Sequence, residues 1–253
     1  MIGIAGFGFV GQAMYSCLKI KDYGYNALAI YDPPKGFSNI KKLSETKAIF
    51  CCLPSPMRED GSQDFSTYAG LFTSLIAIGY QGIVVVKSTV LYSNIQPYLD
   101  VLHIVMNPEF LNQNTADEDF KNQKIIILGG RADWCAAVEK LYESYFELNN
   151  PAFFRCTEQE AIDIKYTHNV YHAYKVLFWN YIQDTCGNRR KIFSAYSKIT
   201  GNTFEMQNIC ADGLPGYGGA CFPKDVHAVH SDKFHELTEF MTKYNKKLRG
   251  NGK

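Results

Sequence analysis

The chain has 253 residues, of which 46% are hydrophobic and 20% charged, a composition typical of a globular protein with a substantial core. Its formal net charge of +1 argues against nucleic-acid binding as the main function, and no apolar run reaches the roughly 18 residues that a membrane span needs. Met1 leads into a short apolar run without a basic leader, and the eight cysteines show neither a CxxC pair nor metal-ligand spacing. We therefore expect a cytoplasmic protein with reduced thiols and no metal site.

A dinucleotide-binding fingerprint stands at the start of the chain. A predicted strand at Ile2–Ala5 is followed by a glycine-rich turn and then by a predicted helix over 12–19. The turn residues, which we assign to cofactor binding, are Gly6, Phe7, Gly8, Phe9, Val10 and Gly11. In this order of elements Gly6 allows the turn, Gly8 lets a pyrophosphate approach, and Gly11 packs the helix on the strand.

An acidic residue follows the second predicted strand, 27–31. This residue is Asp32, and it comes 21 positions after Gly11. A carboxylate at about that distance hydrogen-bonds a ribose diol and repels a 2′-phosphate, so the spacing predicts NAD rather than NADP as the cofactor.

Further strands and helices alternate as far as residue 150. The strands are predicted over 48–53, 82–86, 101–106 and 124–128. An amphipathic helix is predicted over 133–145, with an inward face formed by Trp134, Val138, Leu141 and Tyr145. This alternation predicts an α/β fold, a doubly wound parallel sheet of the NAD-binding Rossmann type over 1–150.

Polar residues follow several of these strands, at the edge where open α/β sheets bind their ligands. Pro54 and Ser55 follow the third strand, Thr89 the fourth and Glu109 the fifth. Ser55 could contact the cofactor or be a plain loop residue. Thr89 could position a substrate or a water, or it could cap a helix.

A second, all-helical domain is predicted over 151–253. Its main element is a helix over 158–186, about 40 Å long by its rise per residue, which suggests a subunit contact. Lys165 and Asn169 lie four residues apart on one face of this helix. Further helices are predicted over 191–200 and 226–248.

A glycine loop in this domain carries a cysteine. Its sequence is Gly216, Tyr217, Gly218, Gly219, Ala220, Cys221, Phe222, Pro223, Lys224 and Asp225. A thiol is nucleophilic as its thiolate, which Lys224 and the loop amides could favour. The alternative is a tight glycine turn beside a structural cysteine.

Taken together, these motifs resemble the UDP-glucose dehydrogenase family, whose members oxidise a nucleotide sugar twice with two NAD. The resemblance extends over nearly the whole sequence. It is carried by GFGFVG at 6–11, LPSP at 53–56, KSTV at 87–90, NPEFL at 107–111, KY at 165–166 with Asn169, and GYGGACFPKD at 216–225.

The resemblance implies a role for each matching residue. Cys221 would attack the aldehyde made in the first oxidation, and Lys165 and Asn169 would hold the oxyanion. Asp225 and Thr89 would share a water that removes a proton, and Glu109 would be the base for thioester hydrolysis. Substrate contacts are implied for Phe110, Leu111, Tyr217, Gly218 and Gly219, together with Lys165 and Asn169. UDP-glucose is the first expected substrate, and a homodimer the expected assembly.

The sequence also departs from the family pattern. Gln113 stands where a second glutamate is usual, Asn208 where an arginine is usual, and Tyr181 where a glutamate is usual. Family members continue with a further domain that binds the UDP end of the substrate, which we expect this shorter chain to lack. Three readings stay open: an active nucleotide-sugar 6-dehydrogenase, a partial member that binds NAD without turnover unless a partner chain completes it, and a two-electron hydroxyacid dehydrogenase.

Overall fold

The computed structural model describes residues 1–19, 28–186, 188–201, 212–230 and 233–250. Several positions of interest in the sequence lie outside these ranges, namely Ala27, Gly187, Asn202, Asn208 and Cys210. The chain divides into two compact units. The first unit comprises Met1–Pro56 and Asp64–Lys165, and the second comprises Met57–Gln63 and Tyr166–Lys253.

A sheet forms the centre of the first unit. In the described part of the chain its strands are β1 (Ile2–Ala5), β2 (Leu28–Tyr31), β3 (Ala48–Cys51), β4 (Ile83–Val86), β5 (His103–Met106), β6 (Ile125–Gly129) and β7 (Ala152–Cys156). They lie in the order β2-β1-β3-β4-β5-β6-β7. Strands β1, β3 and β4 are buried along their whole length, as their continuous apolar sequences predict for parallel strands covered on both faces.

The sheet is mostly but not entirely parallel. Strands β1 to β5 are parallel to one another, whereas β6 pairs with β5 antiparallel through Met106 and Gly129. The predicted doubly wound parallel sheet therefore includes one antiparallel pairing, at β6. The sequence analysis also did not predict β7, which pairs parallel to β6 directly after the boundary set at residue 150.

Helices and short 3-10 turns connect the strands of the first unit. The helices are α1 (Phe9–Ser16), α2 (Ser66–Ala77), α3 (Tyr92–Ile95), α4 (Ala116–Asn122) and α5 (Ala132–Tyr145), with 3-10 turns at Pro33–Lys35, Ile40–Glu45 and Gln96–Tyr98.

The inward face of α5 differs from the predicted one. Its buried residues are Cys135, Val138 and Tyr142, while Trp134, Leu141 and Tyr145 are only partly buried against the core. Tyr142 can be buried because its hydroxyl donates to Asn107 Oδ1 at 2.5 Å inside the core. Its ring packs edge-on against Phe50 at 5.5 Å between centroids.

The described residues of the second unit are mostly helical, with non-helical stretches at 57–63 and 212–221. The long helix α6 (Glu158–Cys186) matches its predicted limits. It begins in the first unit, where Thr157 and Glu160 form a capping box: Thr157 N donates to Glu160 Oε2 at 2.8 Å, and Glu160 N to Thr157 Oγ1 at 3.2 Å. Helix α7 (Arg189–Thr200) ends at Gly201, whose φ of +70° is the left-handed conformation typical of a helix end.

The predicted single helix over 226–248 is wrong. It is two helices, α8 (Phe222–Ala228) and α9 (His235–Gly250). Side-chain bonds mark the break: His235 Nδ1 lies 3.0 Å from His230 O, and His230 Nδ1 lies 3.0 Å from Thr238 Oγ1. One of these contacts reaches the main chain and the other joins two side chains, and apolar periodicity alone does not specify either of them.

The two compact units separate inside α6, between Lys165 and Tyr166. The domain boundary after residue 150 stays a prediction. The segment 57–63 is a small hairpin, with Met57 bridged to Gln63 and Gly61 in a left-handed turn at φ +86°. Gln63 Nε2 donates to the Tyr166 hydroxyl at 3.3 Å, which links this hairpin to α6 within the second unit.

Candidate active site

The glycine turn between β1 and α1 is built for close backbone packing on one side and an open approach on the other. Gly6 has φ +88°, and a Cβ there would lie 2.6 Å from Cys52 O. A Cβ on Gly11 would lie 2.3 Å from Gly6 O. A Cβ on Gly8 would meet nothing within 4 Å, so the space beside this residue is free for a ligand.

Asp32 has a second role that the sequence analysis missed. Its Oδ2 accepts a hydrogen bond from Phe7 N at 2.7 Å, so the carboxylate also holds the glycine turn in place. Lys35 donates to Phe7 O and lies 5.9 Å from the Phe7 ring centroid. The open side of Gly8, the start of α1 at Phe9 and the adjacent carboxylate fit a dinucleotide.

Hydroxyl groups join the ends of β3 and β4. Ser55 Oγ donates to Thr89 O at 2.8 Å, and Ser88 Oγ donates to Leu53 O at 2.5 Å. Ser55 is buried, Thr89 half-buried and Pro54 exposed. The Ser55 hydroxyl thus binds the backbone of the neighbouring loop, and its cofactor contact stays a prediction.

Glu109 and Lys165 lie together in the first unit. Lys165 Nζ donates to the main-chain oxygen of Glu109 at 2.5 Å and lies 4.8 Å from the Phe110 ring centroid. The Glu109 carboxylate bonds the main chain of its own turn, where its Oε2 accepts a hydrogen bond from Leu111 N at 2.7 Å. Lys165 is only 6% exposed, so this contact places a cation beside the turn that carries Glu109.

A second buried lysine lies at the end of β4. Lys87 is 2% exposed, and its Nζ donates to Asn107 Oδ1 at 2.9 Å and to the Tyr142 hydroxyl at 3.2 Å. Burial lowers the pKa of Lys87 to about 8, because the charged form is desolvated and the neighbouring Lys165 adds repulsion. The sequence analysis gave Lys87 no role. A lysine that directly follows four buried strand residues was the available signal.

In the second unit, Asn169 and Asp225 form a buried pair. Asp225 is fully buried, Asn169 Nδ2 donates to its Oδ2 at 2.5 Å, and Lys224 Nζ lies 2.6 Å from its Oδ1. An amide and an ammonium thereby compensate the carboxylate for its loss of water. The structure therefore brings together two of the residues proposed from the sequence.

Cys221 directly precedes α8 and is exposed. Gly216 and Gly219 have φ of +83° and +75°, values that favour glycine. Tyr217, a predicted substrate contact, is only 2% exposed. Gly218 is half-buried, and Gly219 is open to solvent.

Two of the positions where the sequence departs from the family pattern lie at the surface. Gln113 is exposed and Tyr181 is 52% exposed. None of the seven cysteines in the described part of the chain forms a disulfide, and the described residues contain no cluster of three or more potential metal ligands. Among them, no helix combines the length and apolar character needed to cross a membrane.

The sheet, the glycine turn and its partner Asp32 define a dinucleotide-binding protein of the Rossmann class. Comparison with known proteins narrows this class. Residues 36–146 match the model of the UDP-glucose/GDP-mannose dehydrogenase family, NAD binding domain, and residues 159–246 match that family's central domain. The chain belongs to the UDP-glucose/GDP-mannose dehydrogenase family, and NAD is its cofactor.

Individual relatives agree with this assignment. The chain is 31% identical over 224 residues to UDP-glucose 6-dehydrogenase AglM of Haloferax volcanii, covering 78% of this chain and 50% of that protein. It is 32% identical over 202 residues to UDP-glucose 6-dehydrogenase of Rhizobium meliloti, covering 74% and 46%. The solved UDP-glucose dehydrogenase of Pyrobaculum islandicum shares the fold, with a TM-score of 0.73 at 19% identity over 97% of this chain and 68% of that one. The chain thus spans about half the length of the curated relatives.

Proposed function

We propose that this chain oxidises the C6 alcohol of a nucleotide sugar to a carboxylate in two NAD-dependent steps, with Cys221 as the nucleophile. The observation that carries the proposal is the exposed Cys221 thiol, four residues before a fully buried carboxylate held by Asn169. UDP-glucose is the first candidate substrate, because the curated relatives above bear the name UDP-glucose 6-dehydrogenase.

The proposed chemistry divides a four-electron oxidation into manageable steps. NAD, when bound, accepts one hydride in each oxidation. The first oxidation takes a hydride and a proton from the alcohol to give an aldehyde. The Cys221 thiolate then adds to the aldehyde carbon, and loss of a second hydride leaves a thioester. Water cleaves the thioester, releasing the carboxylate and restoring the thiol, so one water is consumed for every two hydrides transferred.

The roles proposed for the other residues are those that the family resemblance implies. Lys165 and Asn169 lie one turn apart on α6 and would stabilise the oxyanion at the reacting carbon. Asp225, with Thr89, would take up the proton of the first oxidation through a water. Glu109 would activate the hydrolytic water once its carboxylate leaves Leu111 N, a change that its half-exposed position favours.

The test is the number of NADH formed per sugar consumed, with UDP-glucose, GDP-mannose and UDP-N-acetylmannosamine as substrates. We expect a ratio of two with one of them, and we expect Cys221→Ala to abolish it. Cys186→Ala is the matched control, because Cys186 is also an exposed thiol. A ratio of one that survives Cys221→Ala would instead indicate a two-electron dehydrogenase. NAD binding without turnover would indicate a partial member that needs a partner chain.

We further propose that the chain forms a homodimer through α6. Four exposed aromatic residues, Tyr171, Tyr174, Phe178 and Tyr181, are spaced three, four and three residues apart, the spacing of a helix–helix seam. Within the second unit, part of this stripe borders an apolar groove of about 340 Å³ with Phe240 and Tyr244 of α9.

The dimer proposal is tested by analytical ultracentrifugation. We expect a dimer that Tyr171→Glu together with Phe178→Glu converts to monomer. Ile199→Glu is the control, since Ile199 is an apolar residue on α7 that is 81% exposed. A monomeric wild-type protein would overturn the proposal.

A further inference from the structure

Helix α9 holds the backbone of the glycine loop through one asparagine. Asn245 Oδ1 accepts from Tyr217 N at 2.8 Å, and Asn245 Nδ2 donates to Tyr217 O at 3.0 Å. A side-chain amide that pairs with both backbone groups of one residue fixes that peptide in position and orientation. Both residues belong to the second unit.

Neighbouring side chains on the same face of α9 extend this contact. Thr242, Asn245 and Arg249 are three and four residues apart, so they share one side of the helix. Thr242 hydrogen-bonds the side chain of Tyr217, whose burial raises its pKa. Arg249 Nη2 donates to Gly216 O at 3.2 Å, and its Nη1 donates to Asp212 Oδ2.

The side chains of α9 lie close to two of the loop glycines. A Cβ on Gly216 would lie 2.3 Å from Asn245 Oδ1, and a Cβ on Gly218 would lie 2.2 Å from Arg249 Nη2. A Cβ on Gly219, by contrast, would meet nothing within 4 Å. Gly216 is favoured both by its φ of +83° and by the approach of α9, whereas at Gly218 the contact is with the flexible end of Arg249, which could shift.

Cys221 thus lies between two anchored points of one chain segment. Tyr217, four residues before it, is held by α9, and Asp225, four residues after it, is held by Asn169 of α6. The thiol is exposed, and the chain on either side of it is held by these two contacts.

We propose that Asn245 is a positioning residue for the Cys221 thiol. This inference rests on the proposed function and adds to it a residue that does not touch the reacting atoms. Removing the Asn245 side chain frees the Tyr217 peptide, widens the range of positions open to the thiol, and lowers the rate of the steps that need it at the reacting carbon.

The experiment compares Asn245→Ala with Lys246→Ala, which removes an exposed side chain from the next position. Thr242→Val is a milder second variant, for use if Asn245→Ala does not fold. The Tyr217 amide is followed by hydrogen exchange. The thiols of both exposed cysteines are alkylated with 3-bromo-1,1,1-trifluoroacetone, which releases bromide, and are followed by ¹⁹F NMR with the Cys186 label as the internal reference.

We expect Asn245→Ala to accelerate exchange at Tyr217 at least tenfold and to narrow the Cys221 label resonance while the Cys186 resonance is unchanged. We also expect kcat to fall at least tenfold with little change in the KM for NAD, and Lys246→Ala to resemble wild type. Accelerated exchange with an unchanged label spectrum and unchanged kcat would overturn the proposal. If the wild-type protein has no turnover, the proposed function fails while the label spectra still decide the role of Asn245.

Discussion

Asn169 on α6 donates from Nδ2 to Oδ2 of Asp225 on α8 at 2.5 Å, and the carboxylate that accepts this bond has no exposed surface. The two residues are 56 positions apart in the sequence. A buried carboxylate is costly unless charged or polar donors surround it, and here Lys224 completes the set. This bond therefore connects the long helix to the segment that carries Cys221.

Removal of the amide should destabilise the fold. We expect Asn169→Ala to lower the free energy of unfolding by about 2 kcal/mol, because a buried charged acceptor loses a donor. Urea denaturation measures this change. Asn180→Ala is the matched control: Asn180 is also buried on α6, but its amide donates to the neutral main-chain oxygen of Val176. An equal loss in the two variants would contradict the proposed importance of the Asp225 charge.

The buried Lys87 should make stability depend on pH. Its pKa is about 8 in the folded protein, against 10.5 for an unperturbed lysine. Between these values the unfolded chain binds more protons, so the contribution of Lys87 to stability rises with pH. From pH 7 to pH 9, we expect the unfolding free energy of the wild type to rise by about 1 kcal/mol relative to that of Lys87→Met.

Urea denaturation of both proteins at the two pH values provides the measurement. In Lys87→Met, Tyr142 and Asn107 can still hydrogen-bond each other, so the variant retains a partner for each group. If the unfolding free energies of the two proteins change equally between pH 7 and pH 9, the prediction for Lys87 is wrong.

Two glycines of the cofactor turn should respond differently to the same substitution. Gly8→Ala adds a methyl group into open space at a residue whose φ is −76°, so we expect unchanged stability. We expect NAD affinity to fall at least about tenfold, or 1.4 kcal/mol, because the methyl group occupies the approach of the pyrophosphate.

Gly11→Ala should instead destabilise the protein, because its methyl group would meet Gly6 O at 2.3 Å. Overpacking of this kind costs about 1–3 kcal/mol. Thermal unfolding and NAD titration of the two variants separate the effects. A loss of stability in Gly8→Ala comparable with that in Gly11→Ala would contradict the geometry of the turn.

Local sequence patterns were sufficient for much of the fold. The apolar runs of β1, β3 and β4 and the limits of α6 were all predicted. Strands buried on both faces have continuous apolar sequences, and helix ends have characteristic capping residues. Strand β7 was not predicted, since its residues are mostly exposed or half-buried and lack a continuous apolar run. The break between α8 and α9, beside which His230 and His235 make side-chain contacts, was also missed.

The sequence by itself determined the class of fold, the NAD-binding turn with Asp32 and the presence of a cysteine in a glycine loop, because each is encoded by residues close together in the chain. Only the tertiary structure decided which partners these residues have. The pairing of Asn169 with Asp225, the burial of Lys87 beside Asn107, and the contact of Asn245 with Tyr217 join residues 20 to 56 positions apart. Such contacts follow from how helices and strands pack, which no local pattern specifies.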